Sequence, residues 1–174
     1  MATKAKRSAK SKPARTPVRK VRPVPLGYEG ITPYLTVRGA EQALAFYKKA
    51  FGAKETLRLA GPDGRVMHAE MKVFDRMVML ADEAPEQGRL GPQSLKGTTV
   101  GLFVYSQDVD KALARAVAAG ATVKMPAQDM FWGDRFGSVE DPAGHTWQIA
   151  THKEDVAPRE MQKRWQAAMA QAPK

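Results

Sequence analysis

The chain has 174 residues, enough for one domain or two small modules that share a core. It has no cysteine, which removes disulfides, thiolate zinc sites and cysteine nucleophiles and permits a cytoplasmic setting. The formal net charge of +10 is uneven: residues 1–25 hold nine basic and no acidic residues, which leaves 19 basic against 18 acidic in the rest, a net of +1. No apolar run approaches the roughly 18 residues a membrane span requires, and no apolar stretch follows the basic start as a secretory signal would need.

In chain order, residues 1–25 are Lys, Arg, Ala, Ser and Pro with few large apolar side chains. Such a composition does not offset the entropy of ordering, so a disordered basic tail is expected. It is either a solvated tail or, through residues 4–22, a nonspecific contact for nucleic acid. Ile31–Val37 alternates: Ile31, Pro33, Leu35 and Val37 face one side, Thr32, Tyr34 and Thr36 the other. That predicts a strand, with Pro33 suggesting an edge or a bulge. Ala40–Phe51 has apolar residues at helical spacing and ends at Gly52, a helix C′ glycine. Strands are expected at Lys54–Leu59, Val66–Phe74 and Met77–Ala81, with a hairpin turn at Gly61–Gly64. Residues 84–96 read as a linker.

The order then recurs. Thr99–Ser106 is a strand, Asp108 caps a helix over Val109–Ala119, and Gly120 ends it. Ala121–Met125 is a strand. Phe131-Trp132-Gly133-Asp134-Arg135 follows, a loop with two aromatics around a glycine. Phe136–Val139 and Thr146–Ala150 then form a hairpin about the Asp141-Pro142-Ala143-Gly144 turn. Ala43-Leu44 matches Ala112-Leu113, and Met77–Ala81 matches Thr146–Ala150, both 69 residues later. Two βαβββ copies form an internal repeat. The expected architecture is α+β: modules 28–83 and 97–152 build a curved mixed sheet with helices outside, within a domain over 26–155. Residues 156–174 supply a C-terminal helix, with Pro158 at its start and Met161, Trp165 and Met169 as an apolar stripe.

Two such modules with a Glu-Asp-Pro-x-Gly turn before the last strand resemble the vicinal oxygen chelate superfamily, which holds glyoxalases, bleomycin-resistance proteins and extradiol dioxygenases. Phe51-Gly52-Ala53, His68-Ala69-Glu70, Phe131–Gly137 and Ala150–Asp155 are similar to its PhnB-like, glyoxalase-like branch. The resemblance implies a cleft for a small molecule and, in the metal enzymes, one divalent ion held from the first and last strands of each module. Those positions carry Thr32, Met79, Gly101 and Gln148 here. None is an imidazole or a carboxylate, so no cofactor is expected and a divalent metal is disfavoured.

A cleft lined by Tyr34, Phe103, Tyr105 and Gln148 is expected to bind the ligand; Trp132 and Arg135 either close over it, or Trp132 packs on the sheet edge and Arg135 pairs with Asp134. Three readings stand open. The first is a metal-free small-molecule-binding homodimer. The second is an enzyme, either a lyase or dioxygenase with an atypical metal site or a metal-free catalyst using Glu70 or His68. The third is a module tethered to nucleic acid by its tail. His68 and Glu70 share one strand face, and an ordinary paired role competes with a catalytic one.

Overall fold

A computed structural model describes residues 21–171. The expected disorder over residues 1–20 lies outside the described residues. The first module runs β1 (Tyr34–Val37), α1 (Ala40–Phe51), β2 (Lys54–Ala60), β3 (Val66–Val73) and β4 (Arg76–Asp82). A 3-10 turn (Pro85–Gln87) and a short helix α2 (Pro92–Leu95) occupy the linker. The second module runs β5 (Gly101–Tyr105), α3 (Val109–Ala118), β6 (Thr122–Asp129), β7 (Asp134–Glu140) and β8 (Thr146–His152), and α4 (Pro158–Gln171) follows. No described helix is long and apolar enough to cross a membrane.

The α+β class and the doubled βαβββ order are as the sequence indicates. The sheet is two four-stranded mixed sheets, ordered β1-β4-β3-β2 and β5-β8-β7-β6. In each, the first strand runs parallel to the last and the other pairs are antiparallel. The 69-residue repeat persists in the register: Tyr34 lies opposite Met79, and Phe103 opposite Gln148. It persists in the caps as well. The carboxylate of Asp82 accepts from the N–H groups of Gly39 and Ala40 at the start of α1. Thr151, 69 positions later, accepts from the N–H of Val109 at the start of α3. Each last strand thus anchors its own module's helix. Asp108 also caps α3, accepting from the Lys111 N–H at 3.0 Å.

Two local expectations shift. The first strand starts at Tyr34, and Ile31 is 98% exposed instead of lying with Leu35 and Val37. Pro33 has no N–H to donate to a ladder, so regular pairing begins after it, although its carbonyl still accepts from the Met79 N–H. The strand after Gly120 continues to Asp129 through Pro126. This is tolerated because β6 is an edge strand with register shifts on either side of Met125.

One core spans both modules. The ring of Trp147 packs on Phe51 at 4.7 Å and on Tyr47 at 5.5 Å, centroid to centroid. Asp141, 4% exposed, accepts from the Tyr47 hydroxyl at 2.7 Å and the Trp147 indole N–H at 2.9 Å. Its other oxygen accepts from the Ala143 and His145 N–H groups. The Asp-Pro-Ala-Gly turn is therefore a buried junction between modules. Burial and the neighbouring carboxylate push the Tyr47 hydroxyl well above its ordinary pKa. The Arg115 guanidinium donates to the Ala50 carbonyl near the C-terminus of α1, where a cation suits the helix dipole.

Candidate ligand-binding site

Strand alternation divides each sheet into a face toward its helix and an open face. In module two, Trp147, Ile149, Val139 and Gly137 lie on the helix side, Trp147 against α1 and Gly137 against Leu113 of α3. Phe103, Tyr105, Phe136, Ser138, Gln148 and His152 lie on the open face with Asp134. Gly101 admits the Gln148 amide: a Cβ there would lie 3.3 Å from its Cδ.

Asp134 organises this face. It is 4% exposed and accepts from three side chains: Tyr105 Oη at 3.1 Å, Trp132 Nε1 at 3.1 Å and His152 Nδ1 at 2.8 Å. The other ring nitrogen of His152 meets Asp155 at 3.0 Å. The hydrogen bond to Asp134, then that to Asp155, raises the imidazole pKa above its ordinary value. Burial and then Asp134 raise that of the Tyr105 phenol. Around the carboxylate the rings interlock: Phe103 stacks on Phe136 at 5.8 Å, Phe136 meets Trp132 edge-on at 5.8 Å, and Phe103 meets Tyr105 at 5.3 Å. Phe103 and Tyr105 remain 45% and 58% exposed, so fixed aromatic surface faces outward. A cleft of about 630 Å³ runs along the edge of β5 past Phe103 and Tyr105, with Pro33 and Phe74 on its other wall. That volume falls in the range of small-molecule pockets.

Of the residues singled out from the sequence, Phe103, Tyr105, Trp132 and Gln148 share this face. Arg135 does not. It follows Asp134 by one position, so it points to the helix side, where Asp110 on α3 accepts from Nε and Nη2 at 2.7 and 2.8 Å and Asp129 from Nη1 at 3.3 Å. Tyr34 is on the open face of module one, with His68 and Glu70, which the structure does bring together. The Tyr34 hydroxyl lies 2.9 Å from His68 Nδ1, and His68 Nε2 lies 3.3 Å from Glu70. Sequence reasoning missed Asp134, Phe136 and His152 as members of the site. The signal was present: Asp134 and Phe136 alternate with Arg135 in one strand, and His152 follows Gln148 at i+4 in the next.

The Trp132 loop is closed from behind. The Gly133 carbonyl accepts from the Lys153 and Glu154 N–H groups, and Phe131 packs on Trp165 of α4 at 5.4 Å. Arg164 of α4 pairs with both Glu154 oxygens at 2.8 Å.

The four positions where the resemblance places metal ligands do not fit a divalent ion. Thr32, Met79, Gly101 and Gln148 offer no charge and no imidazole, and Gly101 has no side chain. Among the described residues no three His, Asp or Glu side chains converge as a metal site would require.

This site is built on a doubled βαβββ frame, and comparison with known proteins agrees. Residues 30–149 match the Glyoxalase/Bleomycin resistance protein/Dioxygenase superfamily. The chain belongs to that superfamily. An uncharacterized protein of Mycobacterium bovis is 42% identical over 135 residues, 76% of this chain and 89% of that protein. The solved structure of an Arabidopsis thaliana gene product has 26% identity and a TM-score of 0.58, covering 71% of this chain and 98% of that one. The fold is also that of a PhnB protein from Bacillus cereus, with 21% identity and a TM-score of 0.55 over 71% of this chain and 99% of that one.

Proposed function

We propose that this superfamily member is a binding protein for a small planar organic molecule, held without a metal on the open face of module two and working as a homodimer in the cytoplasm. One observation carries the reading: Asp134, buried, fixes Tyr105, Trp132 and His152 at once, and so holds an aromatic surface in place beside an open cleft. A preorganised aromatic floor binds planar ligands without an ordering cost. Dimerisation is supported by the large side chains left exposed on the open faces, Tyr34, Leu57 and Leu59 in module one and Phe103 and Tyr105 in module two. Sedimentation at micromolar concentration reads it, and a monomer there removes that part of the proposal.

The test is a thermal-shift screen of planar organic molecules with and without divalent metals, followed by titration of any hit. Trp132→Ala should weaken binding by about 1–3 kcal/mol, the scale of a desolvated aromatic contact. Trp132 emission should respond to the ligand in a Trp165→Phe background, since Trp147 is 1% exposed and shielded in the core. A hit that binds Trp132→Ala as tightly as wild type refutes the module-two site. Stoichiometric metal in untagged protein, lost on mutation of His68 or Glu70, would favour an atypical metalloenzyme. A second reading, metal-free acid–base catalysis at His68 and Glu70, is favoured by the bonded sequence Tyr34–His68–Glu70. Turnover abolished by Glu70→Gln would establish it.

A further inference from the structure

The open face of module one carries a feature that neither reading uses. Residues 21–33 cross this side with no regular secondary structure, and most of them are exposed. Leu26 is 73% and Ile31 98% exposed. Tyr28 is half-buried. Its hydroxyl donates to Oε2 of Glu70, 42 residues away on β3. The backbone there lies over β4: a Cβ on Gly27 would come within 3.7 Å of Met77 Cγ. The bond holds the phenol protonated, pushing Tyr28 up to about 12 and drawing Glu70 below the usual carboxylate range.

Glu70 is oriented from its other side. Its Oε1 meets His68 Nε2, and His68 Nδ1 meets the Tyr34 hydroxyl. With Nε2–H donating to the carboxylate, Nδ1 accepts from Tyr34, so both ring nitrogens of His68 and both oxygens of Glu70 have partners. The strand neighbours are apolar: Leu57 lies opposite Glu70 and Leu59 opposite His68 on β2, 40% and 53% exposed, and Met79 lies opposite Glu70 on β4. An aligned carboxylate acceptor flanked by open hydrocarbon therefore takes a neutral ring bearing a hydroxyl. Tyr28 is such a group, delivered by the protein's own N-terminal segment.

We propose that Glu70, set by His68 and Tyr34, is a second binding site, selective for phenolic hydroxyls, and that Tyr28 occupies it as a tethered competitor in the free protein. A phenol entering the site replaces the Tyr28 hydrogen bond with its own and releases the segment that leads to the basic tail. No proton is transferred. The carboxylate accepts from the ligand hydroxyl as it accepted from Tyr28. The inference concerns module one and does not depend on ligand binding at Trp132.

The test uses the full chain with 4-methylphenol, titrated by NMR while the His68 ring resonances are followed. A tethered competitor that makes a hydrogen bond to a charged acceptor lowers apparent affinity by the fraction of time it occupies the site, so Tyr28→Phe should tighten 4-methylphenol about tenfold. This substitution keeps the ring and lies in an exposed segment. In the Tyr28→Phe background, Glu70→Gln should abolish the gain, and 4-methylanisole, which has no hydroxyl to donate, should leave the His68 resonances unshifted. Trp132→Ala should leave the titration unchanged. Equal affinity in wild type and Tyr28→Phe overturns the proposal, as does unchanged binding after Glu70→Gln. Loss of 4-methylphenol binding in Trp132→Ala would also overturn it while supporting the module-two site. Tighter binding of benzylammonium than of 4-methylphenol would mean that Glu70 selects charge, not a hydroxyl, and would overturn the stated ligand class.

Discussion

Asp141 and Asp134 are both 4% exposed, and they do different work. Asp141 faces the inter-module core and accepts from Tyr47 and Trp147, two side chains that would otherwise leave polar hydrogens buried without partners. Asp141→Ala should cost about 3 kcal/mol, seen as a lower urea midpoint with an unchanged slope. Asp134 serves the open face, and through His152 it makes stability depend on pH. The folded-state pKa of His152 is raised, so its contribution is fully present below the unfolded value near 6.5 and is lost as pH rises through the higher folded value. Thermal unfolding between about pH 6 and 8 should show that loss, and His152→Gln should flatten it. The opposite sign applies to Glu55 and Glu83, each lowered to about 2, by Arg58 and then Lys48 in one case and by Ser94 and then Arg38 in the other. Their contribution disappears as pH falls from 4.5 toward 2.

The Phe131-Trp132-Gly133 turn is gripped by residues 153–156 and, beyond them, by α4. Gly133 has φ 96°, and a Cβ there would lie 2.2 Å from the Glu154 carbonyl oxygen and 2.9 Å from Val156. No side chain other than glycine's hydrogen fits. Gly133→Ala should therefore push residues 153–156 off the turn, at a cost of about 2–4 kcal/mol from strain and lost backbone hydrogen bonds. Limited proteolysis between Lys153 and Arg159 should accelerate in the variant, while unchanged cleavage would show that the turn yields without releasing the segment. Among the described residues, α4 meets this turn through the Phe131–Trp165 contact and the Arg164–Glu154 pair, on the side away from the Asp134 carboxylate's aromatic partners.

At the scale of the whole molecule, the two modules place their helices together and leave both open faces outward, with separate chemistry on each. One is an aromatic floor around Asp134. The other is a carboxylate aligned by His68 beneath Tyr28. The basic tail joins the chain at the second of these faces. Proposed as a nonspecific nucleic-acid contact, it should give DNA binding that falls steeply with salt and has no sequence preference. A chain starting at Leu26 should lose that binding, because the remainder carries a net charge near +1. Equal DNA affinity with and without the tail would remove nucleic acid from its role.

The βαβββ repeat, the spans of α1, α3 and α4 and the Asp-Pro-Ala-Gly turn were legible in the sequence, because hydrophobic period and turn chemistry are local; the four-residue α2 is too short to show a period and lay in what read as a linker. So was the poverty of the four metal positions, since Thr32, Met79, Gly101 and Gln148 show their donor chemistry by identity alone. Side-chain alternation placed Phe103, Tyr105 and Gln148 on a common face. What the linear order hid was which charge meets which. Arg135 and Asp134 are neighbours in sequence, yet the pleat sends one to Asp110 on the helix side and the other beneath Tyr105, Trp132 and His152. Tyr28 has no local reason to find Glu70, and Asp141 none to find Tyr47 94 residues away. These pairings form only when strands and modules pack, so the repeat fixed the frame and tertiary structure decided where its charges are met.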